Sequence, residues 1–406
     1  MKTAQIIIVV RAAAIALGAL VVAPPALAQA QSRDPIAALV SRLDLDRYKA
    51  SIKGLAEFGD RREGTDRNRA AVEWIARELE SYGCTVERLH YVYDRPAEPS
   101  SRARTAPPFT IPSGEFRSGL GGARVRGVVV PMIPNDDPDA QTDPALRALN
   151  AQLPTPGPRE EVFCTKVGAT HPEEMYIVGG HMDGRGFGEA VDDDASGAAL
   201  VMELARVLSG PDVTTERSIR FVLWNNEETG LNGAFAYVQQ RAALQGKESP
   251  RGSGRYPEPR WLGMVQHDMM LWDHGLPRAD GSVNPEQRME ADVNIEFQAT
   301  SRFADQAMKL AFAFRDASEK YATDYPAAVG PHMTNTDSTP FMDLVPSITV
   351  RENERGEQIG TGSNPHYHQA SDRYASYSDK DFRLGLNAAQ TTLAAIAKLT
   401  SATLKK

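Results

Sequence analysis

Residues 173–210, EEMYIVGGHMDGRGFGEAVDDDASGAALVMELARVLSG, read as a strand, a polar loop and a helix in succession. The apolar run MYIV leads into two glycines and His181, and a helix opens after three consecutive aspartates, Asp192, Asp193 and Asp194. The alternation continues outward. RSIRFVLWNNEE (217–228) is a strand, NGAFAYVQQRAAL (232–244) a helix and WLGMVQHDMM (261–270) a strand. RFADQAMKLAFAFRDASEKY (302–321) is a helix, VPSITVRE (345–352) a strand and KDFRLGLNAAQTTLAAIAKLT (380–400) the closing helix. Strand and helix in alternation predict an α/β fold: a three-layer α/β/α sandwich around a central mixed, mostly parallel sheet.

Upstream, residues 37–83 read as helical. Within them TDRNRAAVEWIARELESYG (65–83) places Val72, Ile75 and Leu79 on one face, with Thr65 or Asp66 as N-cap and Gly83 as stop. CTVERLHYVY (84–93) is a strand. Residues 94–160 hold twelve of the chain's 27 prolines and read as an insertion with one short strand, RVRGVVVPM (124–132). Residues 1–30 carry Lys2, an apolar run and small residues, the pattern of a secretory signal peptide cleaved near Ala28 or Ala30. The expectation is an exported protein whose single domain covers 31–406, with no membrane span. The chain of 406 residues has a net charge of -8, which argues against a nucleic-acid partner. Cys84 and Cys164 are either a disulfide, as an oxidising compartment allows, or two buried thiols.

The chemistry gathers at strand ends. In such sheets ligands bind beyond the carboxyl ends of the strands. YIVGGH delivers His181 there, FVLWNNEE delivers Glu227 and Glu228, and GMVQHD delivers Asp268. Imidazole nitrogen and carboxylate oxygen suit zinc. His181, Glu228 and Asp268, with Asp192 and a C-terminal histidine, make five ligands, enough for two Zn2+ ions sharing a bridging carboxylate, for which Asp192 is the candidate. Asp183 stands two residues after His181, so its carboxylate is expected to accept a hydrogen bond from the His181 ring. Glu227 and Glu228 point to opposite sides of an extended chain, which leaves Glu227 as general base for water. Asp193 and Asp194 are expected to cap the following helix. His267 should point away from Asp268 as a structural residue.

The motifs GGHMDG, VDDDASGAA, NNEETGLNGA, QHDMM and PHYHQASD, in this order, resemble those of the co-catalytic zinc exopeptidases, metallopeptidase family twenty-eight. The resemblance runs from about residue 40 to 400, apart from the Pro-rich insertion. It implies one zinc on His181 and Asp268, the other on Glu228 and His368, with Asp192 bridging. His368 is preferred to His366 because it stands just before the "xxxD" run. The resemblance also implies a cis peptide at Asp192–Asp193, Asp183 as the residue orienting His181, and Glu227 as base. Two departures stand out: Thr336-Asp337-Ser338 where the family often has Ser-Asp-His, and Asn225-Asn226 where small residues are usual.

The reading is an aminopeptidase that cleaves a peptide or small amide substrate by attack of a metal-bridged hydroxide. The competing reading within enzymes is a carboxypeptidase, with Arg185, Arg351 or Arg355 receiving a terminal carboxylate, or a glutaminyl cyclase. A non-catalytic domain on the same fold is the third. A calcium loop in VDDDASG is disfavoured by the two histidines.

Overall fold

The computed structural model describes residues 34–94, 135–275, 282, 284–322, 324–331, 336–352 and 364–405. The leader expected at 1–30, the short strand expected at 124–132 and Arg355 lie outside the described residues.

The N-terminal helical region divides into three. α1 (Pro35–Val40) starts on Asp34, α2 (Leu45–Ala56) on Asp44 and α3 (Asp66–Ser81) on Thr65, whose side chain accepts the Asn68 N–H. The region read as helical over 37–83 thus holds three helices, because capping side chains at 44 and 65 restart the helix. Gly83, with φ +80°, takes a left-handed conformation after α3 and turns the chain into β1 (Val86–Tyr93).

β2 (Gly157–Lys166), which the Pro-rich reading missed, pairs antiparallel with β1 and with β5 (Arg217–Trp224). The short helix α4 (Pro144–Leu149) precedes it. β3 (His171–His181) lies parallel between β5 and β6 (Arg260–His267), and β9 (Ser347–Arg351) continues the parallel set. β7 (Val293–Phe297) turns antiparallel against β9 and carries β8 (Ala327–Gly330) at its outer side. Among the described residues the sheet order is β1-β2-β5-β3-β6-β9-β7-β8. β4 (Val213–Thr214) pairs separately with β10 (Thr403–Leu404).

Alternate residues of the central strands enter different cores. Val178, Phe221, Leu223 and Val265 face the larger one, built with α1, α2, α3, α5 (Gly197–Leu208), α7 (Ala304–Tyr321) and α8 (Asp379–Leu399). Ile177, Val222, Trp224 and Met264 face the smaller one, closed by Ala234 and Tyr237 of α6 (Asn232–Arg241) and by Phe341. This period of two is what a sheet covered on both faces requires, and the protein is the expected three-layer α/β/α sandwich with a mixed, mostly parallel sheet. Cys84 and Cys164 are joined in a disulfide, with Cα atoms 5.7 Å apart, which pins the α3–β1 turn to β2.

Two glycines bring α5 against the strand ends. A Cβ on Gly180 would stand 2.8 Å from the Gly197 carbonyl carbon, and one on Gly197 would stand 2.4 Å from Asp194 Oδ1. Only glycine permits so close an approach. It seats the Asp192–Asp194 turn directly over the ends of β3 and β6.

Candidate metal centre

His181 ends β3. Its Nδ1 lies 2.9 Å from the Asp183 carbonyl oxygen, which can only accept, so Nδ1 donates and Nε2 is the nitrogen turned to the site. There Nε2 meets Asp193 Oδ1 at 3.1 Å and Asp268 Oδ1 at 3.8 Å. His368, buried and at φ +54°, brings its Nε2 to Asp193 Oδ2 at 2.8 Å and to Glu228 Oε2 at 2.9 Å. The Asp193 carboxylate thus lies between the two imidazoles, one oxygen toward each.

The expectation that Asp192 bridges is corrected by this geometry. Asp192 Oδ1 accepts the N–H groups of Met270 and Leu271, and its Oδ2 accepts from Asn364 Nδ2. The cis peptide is correspondingly Asp193–Asp194, not Asp192–Asp193. Asp193 is also not a helix cap. Asp194 is: it accepts the Gly197 N–H at the start of α5, and with it the N–H of His181 and of Met269. One carboxylate therefore holds the chain at His181 and beside Asp268. Asp194 Oδ2 also stands 3.9 Å from His181 Nε2, and His181, Asp194 and Asp268 offer ligand atoms within 4.8 Å of one another. With both Asp194 oxygens already accepting main-chain N–H groups, Asp193 is the better placed donor to an ion at His181.

Asp183 departs from its expected contact. Its carboxylate Oδ1 is 3.9 Å from the His181 ring nitrogen, and the carbonyl makes that bond instead. The carboxylate accepts the N–H groups of Glu227 and Glu228, and so fixes the turn that carries both. Glu228 then faces Asp193 and His368, one of whose neighbours, Tyr367, stacks on the His368 ring at 3.8 Å. The Glu227 carboxyl lies among His181, Asp337 and Asp268. His267 points to the opposite side of β6, donating to Gly179 O and accepting from Thr392 Oγ1, and burial holds its pKa down at about 4. His366 is turned to Ser371 and the Trp272 ring.

Several residues that hold the site gave no usable sequence signal. Arg61, fully buried, donates to the carbonyls of Met182, Glu189 and Ala190 and so clamps the loop between His181 and Asp192. Asn225 and Asn226, noted as departures, tie the Glu227–Glu228 turn outward. Asn225 exchanges hydrogen bonds with Asn68 of α3, and Tyr91 Oη of β1 donates to both asparagines.

Buried acid dominates the electrostatics. Burial, with Glu228 nearby, pushes Asp183 up to about 7, and burial beside Asp372 pushes Asp192 up to about 8. Burial also holds Asp194, Glu227 and Asp337 well above the ordinary carboxylate range. Asp193 behaves oppositely: burial disfavours its charge, but His368 and His181 outweigh it and hold the group well below that range. Burial likewise opposes a proton on His368, yet Glu228 and Asp193 raise it to about 10. A cluster of this kind favours any cation that enters it. The donor set fits a metal: two imidazoles and four carboxylates meet, and Glu228 Oε1 is buried without a hydrogen-bond partner. His181, Asp194 and Asp268 form one group; Asp193, Glu228 and His368 form the other, with Asp193 also reaching His181.

A model of Peptidase family M28 matches residues 162–392, more than half of the 406. The chain belongs to this family. Carboxypeptidase Q of Homo sapiens is 36% identical over 72 residues, 18% of this chain and 15% of that protein. Aminopeptidase YwaD of Bacillus subtilis (strain 168) is 30% identical over 132 residues, 32% of this chain and 28% of that protein. The chain thus spans less than a third of the length of these curated relatives. Among solved structures, the Legionella pneumophila LapA aminopeptidase superposes with a TM-score of 0.56 at 16% identity, covering 90% of this chain and 74% of that one. The aminopeptidase from Aneurinibacillus sp. strain AM-1 gives 0.56 at 18% identity, covering 91% and 97%. At these identities the structural likeness shows the fold. Among the described residues, no helix is long and apolar enough to cross a membrane.

Proposed function

We propose that this member of family M28 is an exported dizinc peptidase that removes residues from the N-terminus of peptides. The observation that carries the reading is the Asp193 carboxylate set between His181 and His368, with the buried Glu227 carboxyl near enough to His181 to feel its charge. One ion is assigned to His181, Asp268 and Asp193, the other to Glu228, His368 and Asp193. When bound, the two zinc ions would lower the pKa of water and polarise the scissile carbonyl.

The protein's own groups supply the rest. Glu227, held above its ordinary pKa by burial, takes a proton from the attacking water and gives it to the departing amine as the peptide bond breaks. Asp183 keeps that carboxyl in place through the Glu227 and Glu228 N–H groups. The acidic surroundings, with Asp337 and Asp268 beside Glu227, suit a substrate that presents a free ammonium. The described cations that could receive a terminal carboxylate already face acids: Arg185 meets Asp136 at 2.9 Å and Arg351 meets Asp268 at 3.4 Å. This favours the aminopeptidase over the carboxypeptidase reading, although relatives of both names match the sequence. Export rests on the leader pattern of residues 1–30, and the intact mass of the recovered protein reads out its removal.

The test follows one mixed-sequence peptide by mass spectrometry in free, N-acetylated and C-amidated forms, with and without chelator. Stepwise loss from the N-terminus, stopped by acetylation and by chelator, is expected. Shortening from the C-terminus, stopped by amidation, would move the reading to carboxypeptidase. Glu227→Gln should lower kcat at least about a hundredfold, at the lower end of what a general base contributes, while metal content stays at the wild-type value. Loss of metal together with activity would reassign Glu227 as a ligand.

A further inference from the structure

We propose that Asp372 is the positioning residue that sets the separation of Asp193 from His368 and thereby governs retention of the second ion. The inference rests on the two-ion reading above and concerns a residue that touches neither ion nor substrate in that reading.

Asp372 follows His368 by four residues and is 1% exposed. Its Oδ1 accepts the Asp192 N–H at 3.0 Å, and its Oδ2 accepts the Asp193 N–H at 3.3 Å. Two successive main-chain donors therefore end on one carboxylate, and the second belongs to the residue that lies between the two imidazoles. Oδ1 also accepts from Tyr377 Oη at 2.8 Å. The Asp372 carbonyl takes the Glu189 N–H at 2.7 Å, which adds a second tie to the loop leading into the aspartates.

Asn364 closes the arrangement. Its Nδ2 donates to Asp192 Oδ2 at 2.6 Å and stands 3.3 Å from Tyr377 Oη. Asn364, Tyr377 and Asp372 thus form a ring that closes on Asp192, through its N–H at Asp372 and its carboxylate at Asn364. The ring belongs to the segment that carries His368, whereas Asp193 belongs to the turn after β3. Glu228, the third member of that ion's group, is held separately by Asp183. Asp372 is the group that joins the other two. A carboxylate accepting several main-chain N–H groups fixes backbone more firmly than a neutral acceptor does. Outer groups that orient ligands commonly change metal affinity by about ten- to a hundredfold when removed.

The experiment titrates zinc into metal-free wild type, Asp372→Asn and Asp372→Ala, reading stoichiometry and the two affinities by calorimetry and elemental analysis. The expected result is a first-ion affinity within about twofold of wild type and a second-ion affinity weakened at least about tenfold. Activity in the variants should return as zinc is raised, through kcat rather than KM. Tyr377→Phe removes one bond to Asp372 and should weaken the second ion by a smaller factor; it keeps the question answerable where Asp372→Ala does not fold. Two ions bound with wild-type affinities in variants of lowered thermal stability would overturn the inference alone, leaving Asp372 as loop support. A wild-type chain that takes up fewer than two ions would overturn the two-ion reading and this inference with it.

Discussion

Asp192 and Asp193 are adjacent, chemically identical and both buried, yet their contacts divide completely. Asp193 faces two histidines; Asp192 faces the N–H groups of Met270 and Leu271 and the Asn364 amide. The pair predicts a sharp contrast. Asp193→Asn removes the charge shared by both candidate ions and should cost the second ion and roughly a hundredfold or more in kcat, at or beyond the upper end of what outer groups cost. Asp192→Asn keeps one oxygen for the two N–H groups and disturbs the Asn364 bond, so it should cost about 1–2 kcal/mol of stability with both metals retained. Metal analysis and thermal melts of the two variants separate the roles; equal metal loss from both would return Asp192 to the centre. The sequence identifies the acid run, the two histidines and the glutamate pair, because each ends a readable strand or motif. It does not say which aspartate faces inward. That is decided by Met269, Met270 and Asp372, partners some 75–180 positions away along the chain, and by an irregular loop through which no periodicity carries.

At the scale of elements, the parallel strands β5, β3, β6 and β9 were legible because each is an apolar run with a ligand or turn at its end. β2 was not. Its sequence GPREEVFCTK opens on Gly-Pro and keeps three charges before its apolar centre, so it resembles the end of the Pro-rich segment. Its place in the sheet comes from pairing with β1 and β5, and from the Cys84–Cys164 bond. This bond spans 80 positions of sequence. Closing a loop of that length is worth roughly 4–5 kcal/mol in the chain-entropy account. A Cys84→Ser, Cys164→Ser chain should lose stability of that order in denaturant titrations while its metal content is unchanged, since no metal-group residue lies on β1 or β2. Metal loss in the disulfide-free chain would mean that the Tyr91 and Asn225 contacts transmit the position of β1 to the Glu227–Glu228 turn.

For the molecule as a whole, the decisive imbalance is charge inside the strand-end site. Asp183, Asp192, Asp193, Asp194, Asp268 and Asp372 are all buried there, against the buried cations Arg61 and Arg351 and the two site histidines. Without an ion this excess is met by protons, which is why burial raises Asp183, Asp192 and Asp372. An ion that binds the folded chain and not the unfolded one adds stability as RT ln(1 + [L]/Kd), about 4 kcal/mol at a thousandfold excess over Kd. For a domain of this size each kcal/mol moves Tm by roughly 1–2 °C, so two ions, together worth about 8 kcal/mol, should raise it by on the order of 8–16 °C. Chelated protein is therefore expected to melt lower by that interval and to recover on addition of zinc. Calcium, which prefers oxygen ligands, should restore much less, because an imidazole stands in each ligand group. Glu227→Gln, which leaves the five proposed ligands in place, should show the same interval as wild type. An identical melting temperature with and without chelator would mean that protons and arginines suffice to neutralise the acids, and that the site does not hold metal as assigned.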